Sequence, residues 1–256
     1  MRAAGRIVRG LNGLVSLGLG VVLIAMAAFS GYALLDTWRV LHRAEVPAQI
    51  LTYQPTIKLD QPGNASLAQL RTINPDAVAW VTLDGTRINY PVVQSADNVF
   101  YLNRDMYQAY SPAGSVFLDY RNDPGFNDRY SMIYGHNMDG GLMFADLLKY
   151  EDQDFFNQHG QGLLFLPDAT YRLEIFAYLR VDAYKTMMFG VTYDARGYQR
   201  LLQYIRQNAM HYRDISVTPA QRIVALSTCS SATSNDRSIV VARVTELKTT
   251  EGAQEP

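Results

Sequence analysis

Cysteine occurs once in the 256 residues, at position 229, in the run Ile223-Val224-Ala225-Leu226-Ser227-Thr228-Cys229-Ser230. Apolar residues lead into small hydroxyl residues and a thiol, the pattern of a buried strand whose end holds a nucleophile on rigid backbone. A buried cysteine serving only as a small hydrophobe fits the same spacing. Eight residues on, Arg237 opens a second strand-like run, Ser238-Ile239-Val240-Val241-Ala242. If the two runs pair through the loop 230–236, Cys229 and Arg237 face each other at its mouth. There a guanidinium can offer charge and N–H donors to an oxyanion on an acyl group bound to sulfur. Alone, an arginine at a hairpin end is more often paired with a neighbour such as Asp236, or solvated.

A proton carrier is the second requirement of thiol chemistry. His136 lies in Ser131-Met132-Ile133-Tyr134-Gly135-His136-Asn137-Met138, where an apolar strand gives way to turn residues through Gly141. An imidazole there can exchange protons near neutral pH with a thiol and a leaving amine. The other histidines compete poorly: His42 is in a connector, His159 follows Asn157-Gln158 in a polar turn, and His211 ends a long helical stretch. A single histidine at a strand end is nonetheless more often structural than catalytic. Asp119, Asp123 and Asp128 crowd one loop, but their spacing is not that of a calcium loop and reads as a solvated turn; no His or Cys cluster has zinc spacing. No metal and no cofactor are expected.

These residues need strands to hold them. Ala79–Leu83 and Arg87–Val93 are β-rich runs separated by Asp84-Gly85, a hairpin signal. Further strand-like runs follow at Gly114–Tyr120, Ser131–Tyr134, Leu163–Leu166, Tyr171–Val181, Arg222–Ser227 and Ser238–Leu247. Helical patterns cover Asn64–Asn74, with Asn64 or Ser66 as N-cap, then Gly141–Tyr150, and Ala195–Tyr212 with Tyr198, Leu201, Leu202, Ile205 and Ala209 on one stripe. Many short strands with few helices argue for a mainly β fold with peripheral helices, a barrel or a sandwich.

The N-terminus is of another kind. From Gly10 to Leu35 there are 26 residues with no charged side chain and no histidine, enough to cross a hydrocarbon core of about 30 Å. Arg2, Arg6 and Arg9 precede this run without an acidic residue, which predicts a cytoplasmic N-terminus and an exported remainder. A cleaved signal peptide is the competing reading, with Ala25-Met26-Ala27-Ala28 near a plausible cut, but the apolar run is too long for a typical signal core and continues past those residues. The exported part carries a formal charge of −4 and one thiol, so neither nucleic-acid binding nor a disulfide framework is supported. The expected organisation is a cytoplasmic segment 1–9, a transmembrane helix 10–35, a connector 36–63 with Pro47, Pro55 and Pro62, a catalytic domain 64–248 and a polar tail 249–256.

Taken together, the ordered string resembles the sortase family and, within it, class B. The resemblance is carried by Leu226-Ser227-Thr228-Cys229, close to the family's Thr-Leu-x-Thr-Cys element, by Tyr134-Gly135-His136-Asn137-Met138, and by Arg237 on the following strand. Gly85–Gln94, Asp97–Leu102 and Gly114–Tyr120 also look like class B segments, and the resemblance spans about Leu67 to Leu247. It implies an eight-stranded sortase-type β-barrel behind a membrane anchor, acting at the surface of a Gram-positive-type cell. Cys229 would attack the carbonyl after Thr in a C-terminal sorting motif of a surface protein. His136 would serve the leaving and incoming amines, and Arg237 the oxyanion. The acceptor would be an amine of a peptidoglycan precursor or a pilin lysine. Carried over residue by residue, Asn98, Leu102, Ser227 and Tyr184 would contact substrate, whereas the group assisting His136 has no assignment.

Water could replace the amine, making a thiol peptidase, and a surface scaffold with Cys229 buried is the non-enzymatic alternative. With one thiol in the chain, a small polar thiol reagent reads Cys229 alone. A single adduct in the folded domain is expected; the scaffold reading requires protection and an unaffected Cys229→Ala variant.

Overall fold

The uncharged N-terminal run is helical: α1 spans Arg2–Ala44. Within it, Asn12–Arg39 is long and apolar enough to cross a membrane. The helix continues past Asp36, where a connector was expected, because residues 36–44 contain neither Pro nor Gly; the chain leaves it shortly before Pro47. The computed structural model describes residues 2–57, 63–184, 186–229 and 235–247, with side chains for all of these except 2–11, 40–44 and 229. The polar tail 249–256, loop residues 230–234 and connector residues 58–62 lie outside the described residues.

The unit from Arg43 onward is built on eight strands: β1 (Ala77–Leu83), β2 (Asn89–Val93), β3 (Val116–Leu118), β4 (Tyr130–Tyr134), β5 (Gln161–Phe165), β6 (Thr170–Asp182), β7 (Arg222–Cys229) and β8 (Asp236–Glu246). All eight strand-like runs of the sequence are present. Their order is β8-β7-β4-β3-β2-β1-β5-β6, and β6 then pairs with β8, closing the sheet into a mixed barrel. The 13-residue β6 makes closure possible, since its first half pairs with β5 while its whole length pairs with β8. The ladders β2–β3 and β4–β7 are parallel.

Two layers are buried against these strands. On β7, Val224 and Leu226 point into the barrel with Ile133, Leu164 and Val240. Ile223 and Ala225 point outward, against α3 (Ala195–Asn208), whose Tyr198, Leu201 and Ile205 are 0% exposed. A strand covered on both faces reads as a continuous apolar run, as β7 does. Each such Leu or Ile contributes about 1.5–3 kcal/mol on burial.

The helical expectations need three corrections. The helix α3 stops at Asn208, not Tyr212, because Met210 N donates to Tyr178 O and His211–Tyr212 pair with the edge of β6. His211 therefore does not sit at the helix carbonyl end; its Nε2–H donates to Glu151 O at 2.8 Å. Gly141–Tyr150 is not one helix: Gly140 and Gly141 both have φ of +75°, Leu142–Met143 pair with Asn137–Met138, and a 3₁₀ segment follows at Ala145–Glu151. A short helix, Gln153–Gln158, stands where a polar turn was expected, its N-cap Asp152 accepting from Phe155 N at 2.8 Å.

The helix α2 (Ala65–Ile73) forms as expected, but Asn64 does not cap it with its side chain. Its amide instead donates to Leu166 O at 2.6 Å and Ala169 O at 3.2 Å, tying the helix start to the β5–β6 turn. Asn64→Ala leaves these buried carbonyls without that donor and is expected to cost about 1–3 kcal/mol in urea unfolding.

Candidate active site

Sheet register gathers the chemistry-bearing residues. In the parallel β4–β7 ladder Ser227 stands opposite Tyr134, and Gly135 N donates to Ser227 O at 3.2 Å. Two residues past that pair on each strand lie His136 and Cys229. In the antiparallel β7–β8 ladder Cys229 stands opposite Arg237. Residues opposed in an antiparallel ladder have Cα atoms about 4.5–5.5 Å apart. The three sequence-predicted residues thus share one end of the barrel, on three adjacent strands.

His136 is held by its neighbours on both sides. Gly135 passes against the Phe144 ring, where a Cβ would come within 2.6 Å, and Phe144 N donates to His136 O at 2.8 Å. The ring nitrogen Nε2 lies 2.7 Å from Leu102 O. A carbonyl can only accept, so Nε2 carries the hydrogen, and in the neutral ring Nδ1 is the basic atom. Leu102, named from the sequence as a substrate contact, also supplies the partner for His136 that sequence reading left unassigned.

A cleft of about 320 Å³ opens beside these residues. Asn98, Leu102 and Phe117 line it together with Tyr134 to His136, with Ser227, Thr228 and Arg237 from the strand ends and with Ala183 and Phe189 from the segment after β6. Ser227 Oγ and Thr228 Oγ1 are buried without a hydrogen-bond partner among the described residues. Such orphaned hydroxyls cost about 1–3 kcal/mol each unless a ligand satisfies them. Tyr184 is not among the lining residues and stands 82% exposed, while its neighbour Ala183 does line the cleft. Arg237 Nη1 donates to the Asp236 main-chain oxygen at 3.3 Å, and the Asp236 carboxylate lies 3.5 Å from Arg180.

The loop read as a solvated turn is otherwise. Asp119 is fully buried, with Oδ1 accepting from Arg121 N and Nε at 3.0 and 2.8 Å. Its Oδ2 accepts from Arg121 Nη2 at 2.8 Å, and from Asn98 Nδ2 and the Tyr134 hydroxyl at 2.9 Å each. Asp128 accepts from Asn122 Nδ2 and Asp123 N, and Asp123 from Gly125 N. The aspartates are consumed internally, and no group of metal-ligating side chains forms among the described residues. Burial opposes ionisation of Asp119, but the hydrogen bonds from Arg121, Asn98 and Tyr134 outweigh it and hold the carboxyl below its ordinary range. Burial, then the Asp119 charge, pushes the Tyr134 phenol up, so it stays protonated and donates. The signal that sequence reading missed was an aspartate ending an apolar strand with an arginine two residues on.

Gly114 backs the His136 contact. Its φ is +62°, and a Cβ there would lie 2.6 Å from both Leu102 O and Tyr101 O. Gly114→Ala is expected to cost more than about 1 kcal/mol and to displace the Leu102 carbonyl. Ring ¹⁵N shifts of His136 should report Nε2–H in the wild type and a loss of that preference in the variant.

The sequence profile of the sortase domain family matches residues 81–245. Sortase B of Listeria monocytogenes is 39% identical over 168 residues, 64% of this chain and 67% of that protein. Among solved structures, sortase B from B. anthracis in complex with AAEK1 aligns with a TM-score of 0.70 at 31% identity, covering 78% of this chain and 94% of that one. A Streptococcus pyogenes class B sortase involved in pilus biogenesis aligns with a TM-score of 0.63 at 37% identity, covering 69% and 96%. With the barrel, the strand-end residues and these likenesses in hand, the chain belongs to the sortase family of cysteine transpeptidases and, within it, to class B.

Proposed function

We propose that the cleft binds a C-terminal sorting motif of a surface protein, cleaves it after Thr and passes the acyl group to an amine of a cell-wall precursor. The observation that carries this reading is the register that sets Cys229, His136 and Arg237 at one barrel end beside the cleft. The Cys229 thiolate attacks the scissile carbonyl, and Arg237 donates to the oxyanion that forms. As the tetrahedral intermediate collapses, the C–N bond breaks and the His136 imidazolium protonates the leaving amine, giving a thioester. The incoming amine then attacks the thioester while His136 takes its proton, and the thiolate leaves. With Nε2–H spent on Leu102 O, these transfers run through Nδ1. The thioester retains the bond energy of the cleaved peptide, so no nucleotide is required.

Asn98, Leu102 and Ser227 contact the substrate in this reading, supported by their place in the lining; Tyr184 would have to turn inward to do so. The helix Asn12–Arg39 supports a single-pass anchor, with Arg2, Arg6 and Arg9 on the cytoplasmic side and the barrel outside the cell. A pilin lysine as acceptor is the second reading, favoured by the likeness to a class B sortase involved in pilus biogenesis.

The test is incubation of the barrel unit with a library of sorting-motif peptides, with and without amine acceptors, followed by mass analysis. A thioacyl adduct on Cys229 and an amine-dependent product are expected. Products indifferent to every amine would replace transfer by hydrolysis. Cys229→Ala should abolish the adduct, His136→Ala should slow acylation about 10²–10⁴-fold, and Arg237→Lys about 10²–10³-fold.

A further inference from the structure

Asp119 supports the cleft without lining it. Two residues that line the cleft bond its carboxylate, and a third bonds the arginine paired with it. Asn98 is attached through Nδ2 and Tyr134 through its hydroxyl. Phe189 is reached through Arg121, whose Nη2 also donates to Phe189 O at 3.1 Å. The Tyr134 ring is wedged between Phe117, at 5.3 Å, and Phe189, at 6.3 Å between centroids.

The network also sets which atoms remain for a ligand. Asn98 Oδ1 accepts from Tyr120 N at 3.0 Å while Nδ2 donates to Asp119. Turning the amide over would set NH₂ against N–H and carbonyl against carboxylate, so its orientation is fixed. One Nδ2 hydrogen is left over, a donor. Tyr134 gives its only hydrogen to Asp119 and its oxygen also meets the Arg121 guanidinium, which leaves one lone pair to offer. A donor and an acceptor on two residues of the same cleft complement the C=O and N–H of an extended peptide, whatever its side chains.

We propose that the Asp119–Arg121 pair is a positioning unit that orients Asn98 and Tyr134 to grip the substrate's main chain and anchors the Phe189 wall over it. This rests on the peptide-transfer reading above. Neither residue touches the reacting atoms, so the pair acts on binding and leaves the chemical step at Cys229 and His136 unchanged.

Wild type, Asp119→Asn, Arg121→Gln, Asn98→Ala and the Asp119→Asn/Asn98→Ala double variant are assayed for kcat and KM with a sorting-motif peptide, alongside melting curves. Asp119→Asn is expected to raise KM about tenfold with kcat held within about threefold. Asn98→Ala should add little on top of it, because both remove the same contact. A folded Asp119→Asn with KM within twofold of wild type, or fully additive effects, overturns the inference. Should Asp119→Asn fail to fold, Arg121→Gln decides by the same KM criterion. If the wild type forms no thioacyl adduct with any peptide, the transfer reading falls and this inference with it; turnover with unchanged KM in the variants removes this inference alone.

Discussion

The parallel ladder between β4 and β7 is the constraint on which the site depends. Its register brings two strands that lie about ninety residues apart in sequence to a common end, with Ser227 against Tyr134. A slip of one residue would turn every side chain of β7 to the opposite face. The apolar faces forbid it: Val224 and Leu226 fill the barrel while Ile223 and Ala225 meet α3. The hydrophobic core thus sets not only stability but the alignment of Cys229 with His136.

The second constraint is electrostatic. A carboxylate buried beneath the cleft is tolerable only when its lone pairs are spent on donors. Asp119 meets this with the Arg121 fork, an amide and a phenol. Two of those donors, Asn98 and Tyr134, themselves line the cleft, so satisfying one buried charge orders the surface above it. The hydroxyls of Ser227 and Thr228 present the converse case, buried polar atoms without a partner among the described residues. The groups around Asp119 are paired while the strand end at Ser227 and Thr228 keeps unsatisfied capacity among the described residues, a division suited to a site that must accept a ligand.

Much of this was legible in the chain. The eight strand-like runs all became barrel strands, because alternating or continuous apolar patterns report burial directly. Cys229, His136 and Arg237 could be picked out by type and by position at strand ends. Errors gathered where tertiary hydrogen bonding competes with local propensity. The helical stripe beyond Asn208 was diverted onto the free edge of β6, and the Gly140-Gly141 pair took left-handed backbone that broke the expected helix. Asp119 looked solvated because polar loop composition carries no record of what folds over it.

By itself the sequence determined a β-rich unit behind an apolar N-terminal helix, a lone thiol, and the candidate histidine and arginine, since composition and periodicity are properties of the chain. Only the tertiary structure decided that β4 and β7 lie side by side in parallel, that Leu102 O holds the His136 ring, and that Asp119 lies buried beneath Asn98 and Tyr134. Each of these joins residues remote in sequence or depends on what covers them. Such pairings arise from closing the sheet into a barrel, and no local pattern encodes that closure.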